Sequence, residues 1–92
     1  MALKDRANRR LLIEGLAADY RSLDATTTAT EEELAALEAG PAAPESVAAV
    51  QERLAAEHEQ LGQLALEGRA AVDGFRAVCG GEELPPLPWP PG

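Results

Sequence analysis

Residues 34–50 read LAALEAGPAAPESVAAV, and the segment from Gly40 to Pro44 inside that stretch decides the fold. Gly40 stands where a helix-terminating residue belongs, and Pro41 cannot continue a helix. Pro44 suits the first turn of a new helix, with Glu45 near its positive end. On either side of this punctuation the apolar residues keep one beat. Before it, Ile13, Leu16, Tyr20, Leu23, Thr27, Thr30, Leu34 and Leu37 are spaced alternately three and four residues apart. After it, the same spacing runs through Val47, Val50, Leu54, Glu57, Leu61, Leu64, Gly68, Ala71, Phe75 and Val78. Three then four averages to the heptad period, which lays one narrow stripe along each helix and calls for a facing helix.

The expected fold is therefore all-α: an antiparallel, coiled-coil-like two-helix hairpin over residues 1–79. The first helix spans about 3–39, the turn 40–44 and the second helix about 45–79. A Gly80-Gly81 hinge and an extended Pro-rich tail complete the chain to residue 92. One boundary has two readings. Thr26-Thr27-Thr28 lowers helix propensity, and Thr30 with Glu33 fits a capping box that would start a fresh helix near residues 25–30. Against a break, Thr27 and Thr30 stay in phase with the stripe on both sides, which a loop has no reason to do.

A turn centred between Ala42 and Ala43 pairs residues whose numbers sum to about 85. Tyr20 then lies opposite Leu64 to Gly68, where the glycine leaves room for a large side chain from the facing helix. Thr27 falls level with Glu57 and His58, so the polar interruptions of the two stripes coincide. Such a layer sets register at some cost in stability. Toward the chain termini the apolar face widens, with Leu11 and Leu12 beside Ile13, and Ala65, Val72 and Cys79 beside Leu64, Ala71 and Val78. A two-helix seam does not need that width, so this open end is expected to pack against something further.

With 92 residues, one Phe, one Tyr and one Trp, the chain has little to build a core from. Alanine favours helix but buries little area per residue, so a partner, either another copy or another protein, would add stability. A net charge of −8 disfavours direct nucleic-acid binding. The charge is uneven. Residues 1–22 and 66–79 carry seven Lys or Arg against five acids, whereas 24–59 carry nine acids and only Arg53. The turn end is a negative pole, read either as a solvated face or as a docking surface for a basic protein, including imitation of nucleic acid.

Catalysis has little support. Glu57, His58 and Glu59 are consecutive on a helix and cannot converge on one ion, and no second histidine exists. Glu31-Glu32-Glu33 fits a helix N-terminus more readily than a metal site. Cys79 is the only cysteine, and His58 would lie roughly 30 Å from it along the helix. No phosphate loop, nucleophile elbow or paired metal ligands appear, so no enzyme activity, cofactor or metal is expected. The three consecutive apolar residues Leu11 to Ile13 are too few for a secretory or membrane segment, which makes the cytoplasm, or a particle assembled there, the expected location.

The most distinctive local segment is Leu84-Pro-Pro-Leu-Pro-Trp-Pro-Pro-Gly92. Five prolines in the eight positions from 85 restrict its conformation, and Pro85 to Pro88 satisfies P-x-x-P. Leu84, Leu87 and Trp89 supply apolar anchors. The segment is read either as a partner-binding peptide or as an end that is free or strapped back on its own hairpin.

Size, alanine content and hairpin architecture resemble the small helical chaperones of bacterial type III secretion and minor structural or assembly proteins of phage particles. In hairpin length the chain also resembles the small secreted WXG-type proteins, but those carry Trp-x-Gly at the turn where this chain has Gly40-Pro41-Ala42, so it is not assigned to that family. The expected role is that of a noncatalytic structural or adaptor subunit. Its partner would meet Leu11, Leu12, Ala65, Val72 and Phe75 at the open end and Leu84, Leu87 and Trp89 in the tail. The alternative is an acidic inhibitor or chaperone that masks a protein partner.

Overall fold

The computed structural model describes residues 2–90; Met1, Pro91 and Gly92, the last two belonging to the predicted tail, lie outside the described residues. Two helices, α1 (Ala2–Ala39) and α2 (Pro44–Cys79), pack side by side along their length. At 1.5 Å per residue, α1 is about 57 Å long, and the molecule measures 60 × 20 × 17 Å. No helix among the described residues is long and apolar enough to cross a membrane.

α1 runs unbroken through Asp24–Thr30. The threonines stay helical because each hydroxyl finds an acceptor one turn back. Thr27 Oγ1 donates to the Leu23 carbonyl at 2.8 Å and Thr30 Oγ1 to that of Thr26 at 3.1 Å, with Thr26 and Thr28 bonding likewise to Ser22 and Asp24. This back-bonding satisfies a buried hydroxyl without breaking the helix.

Helix termination differs from the sequence expectation in one detail. Gly40 does not enter the left-handed region; α1 instead tightens at its end through a Gly40 N–H bond to the Leu37 carbonyl at 3.3 Å. Ala43 is an N-cap with extended backbone and no side-chain cap, and its carbonyl accepts the Ser46 and Val47 N–H groups at 3.0 and 3.2 Å. Pro44 starts α2, where its missing N–H leaves no donor unpaired.

Cross-seam contacts follow the turn-centred register. Arg53 pairs with Glu33, and His58 Nε2, on an exposed side chain, lies 3.8 Å from a Glu31 oxygen. The coincident polar layer is present: Thr27, Thr30 and Glu57 are all buried. It is not joined by hydrogen bonds across the seam, however. Both threonine hydroxyls donate within α1, and Glu57 Oε1 is buried without a hydrogen-bond partner.

The apolar core sits toward the open end, where Ile13, Ala17, Ala65, Val72, Phe75 and Trp89 form one buried cluster. Leu16, Tyr20, Ala71, Cys79, Leu84 and Leu87 pack against it.

Candidate functional site

The open end is built by three segments: α1 around Ile13–Arg21, α2 around Ala65–Cys79, and the tail. The reversal that brings the tail back begins at Gly80, with φ 64° and ψ −126°. An L side chain rarely adopts that backbone, which is the reason for glycine there. The Gly80 N–H closes the helix on the Arg76 carbonyl at 3.0 Å. Trp89 then reaches Gly68, about three turns, or roughly 16–18 Å, back along α2.

Gly68 is the seat for the indole. A Cβ placed on it would lie 2.7 Å from three atoms of the Trp89 six-membered ring, which no carbon contact tolerates. The sequence pointed to Gly68 as space for a side chain from the facing helix. The structure fills that space from the tail instead. Tyr20 of the facing helix meets the indole edge-on, with centroids 6.2 Å apart and planes at 79°, a geometry aromatic quadrupoles favour.

The tail backbone needs donors, because proline carbonyls accept but proline has no N–H to return. Helix backbone donors are already used, so side chains supply them. Arg21 Nη2 donates to the Pro86 carbonyl at 3.0 Å, and Arg69 Nη1 donates to that of Pro90 at 2.9 Å. One guanidinium comes from each helix. Arg10 adds a looser contact to Glu82 at 3.4 Å. Between the end of α2 and the first part of the tail lies an open hollow of about 650 Å³, lined by Arg76, Gly80, Gly81, Glu83 and Leu84 among others. The strap is thus seated at its far end on Gly68 and packed along its length through Leu84 and Leu87, with a solvent-open hollow beside the hinge.

Of the residues expected to meet a partner, Ala65, Val72, Phe75 and Trp89 are buried within the chain itself, and Leu84 and Leu87 are partly covered beside them. In this conformation the tail occupies the widened apolar face, so the two predicted surfaces cover each other. Leu11 and Leu12 alone of that set remain outside, 63% and 56% exposed. On the side of α1 turned away from Ile13, Ala7, Leu11, Gly15 and Ala18 share one face, and all are exposed. A Cβ on Gly15 would meet nothing within 4 Å.

Sequence reading missed Arg21 and Arg69 as clamps, since a guanidinium on a helix carries no mark of a distant carbonyl. The signal that was present is Gly68, a vacancy on the heptad stripe, together with a lone tryptophan in need of burial. Compared with known proteins, the chain matches no family model, no curated protein and no solved structure.

Proposed function

We propose that the protein is a noncatalytic structural or adaptor subunit that assembles into a larger protein complex through its open end. The observation that carries this reading is the exposure of Leu11 and Leu12, 63% and 56%, on sides of α1 that the burial of Ile13 leaves uncovered at the open end. The small residues Ala7, Gly15 and Ala18 on the face of Leu11 would let a further helix approach closely. The exposed part of the strap borders the same end and adds Leu84 and Leu87 as half-covered apolar contacts. Affinity purification from the native source tests this. Stoichiometric recovery in a larger particle is expected for the unaltered chain, with loss of that recovery for the Leu11→Asp, Leu12→Asp double variant.

A second reading rests on the other end of the rod. Nine acids against Arg53 over residues 24–59, with Arg53 engaged by Glu33, leave a net negative pole. That supports an inhibitor or chaperone that masks a basic protein. Capture abolished by moderate salt but insensitive to the double-leucine change would favour it over the first reading.

A further inference from the structure

The contacts that hold the tail all run from residues 82–90 to the hairpin, and none depends on the two belonging to the same chain. Gly68 accepts the indole, Tyr20 meets its edge, and Arg21 and Arg69 take the carbonyls of Pro86 and Pro90. Behind that seat the hinge is Gly80-Gly81, which borders an open hollow at the end of α2. A tail released from the groove would leave Trp89 in solvent and strip Leu84 and Leu87 from the apolar cluster they pack against. Release is therefore unfavourable unless an equivalent segment replaces it.

We propose that the groove formed by Gly68, Tyr20, Arg21 and Arg69 is a binding site for a Pro-Trp-Pro segment, and that its occupant in trans is the tail of a second copy of this chain. Two copies have two tails and two grooves, so reciprocal exchange closes as a two-fold pair in which the Trp89 seat at Gly68 and Tyr20 and the Arg69 bond to Pro90 are remade in each copy. Reach permits it. From Gly81 to Trp89 the chain spans up to about 26–29 Å when extended, more than the 17–20 Å thickness of the rod. The tethered tail competes with an effective concentration on the order of millimolar, so the closed monomer prevails in dilute solution and exchange follows wherever copies are held together.

Trp89 is the only tryptophan, and its emission therefore reports the seat directly. The full-length Gly68→Leu chain has a filled groove and a free tail, and it should emit like an exposed indole. The full-length Trp89→Ala chain has an empty groove and is silent. Titrating the second into the first should shift the emission to the blue, saturate at one to one and double the mass seen by light scattering. Emission that stays red in excess partner overturns the proposal, as does a Gly68→Leu chain whose indole is already buried when alone. Deleting Gly80 and Gly81 from the otherwise unaltered chain removes the reversal while keeping groove and tail. That variant should be a dimer whose tryptophan is buried, and a monomer overturns the proposal even if either point variant folds poorly. None of these readouts involves Leu11 or Leu12, so failure here and failure of the assembly role proposed above are separately visible.

Discussion

The two halves of the rod carry the same stripe and bury it to different depths. In the turn half, Leu34, Leu37, Val47 and Leu54 are only half-buried, and Val50 is the one apolar residue there that is buried. In the open half, Ile13 and Phe75 reach 0% exposure. Two helices alone leave the flanks of their seam open to water, because a pair of cylinders meets along a line. The seam alone buries the small Thr27 to 2%, but the large side chains Ile13 and Phe75 reach 0% in the open half, which has a third segment, the strap from Leu84 to Trp89. The half with two layers also holds the polar interruption of Thr27, Thr30 and Glu57. Stability is therefore expected to be concentrated where the tail lies, and the turn half should open more readily.

The sharpest way to break this comparison is to truncate one core residue in each half. Phe75→Ala should cost about 3–5 kcal/mol, as large aromatic truncations in packed cores do. Val50→Ala should cost less than half of that, read from urea midpoints at constant slope. Equal losses would mean that the strap adds no depth.

A smaller effect of opposite sign is expected at the seam. Glu57 buries an oxygen with no partner, so Glu57→Leu should stabilise the hairpin by about 1–3 kcal/mol. If the polar layer sets register, the gain will come with broadened or doubled amide resonances in the turn half, where other pairings become accessible. A loss of stability in thermal or urea unfolding would show that the carboxylate is better solvated than its burial implies.

The smallest expected change lies at the two helix ends. Gly40 has an ordinary negative φ, and an added Cβ would sit 3.5 Å from the Ala36 carbonyl. Gly40→Ala should therefore gain about 0.4–1 kcal/mol by restricting the unfolded chain. Gly80→Ala should instead lose stability, since its φ of 64° strains any side chain. Thermal midpoints of the pair measure the contrast directly.

Much of the architecture was legible from residues alone. The turn between Gly40 and Pro44, the two stripes and their register needed only local chemistry and spacing, and the alignment of Thr27 with Glu57 followed from placing the turn. Continuity of α1 was not legible, because the back-bonds of Thr27 and Thr30 and the capping box at Thr30 compete within the same few residues. The candidate site was half legible. Gly68 and Trp89 each stood out, but a glycine vacancy does not say which side chain fills it.

By itself, then, the sequence determined the elements, their phase and where the chain turns, since these depend on dihedral preference and on periodicity along a single helix. Only the tertiary structure decided where Trp89 goes and, with it, which apolar residues are core and which remain at the surface. That choice depends on the competition between solvent, a partner and the chain's own groove for one indole. Here the groove prevails: Gly68 offers shape, Tyr20 an edge, and Arg21 and Arg69 donors for carbonyls that the prolines cannot pair among themselves.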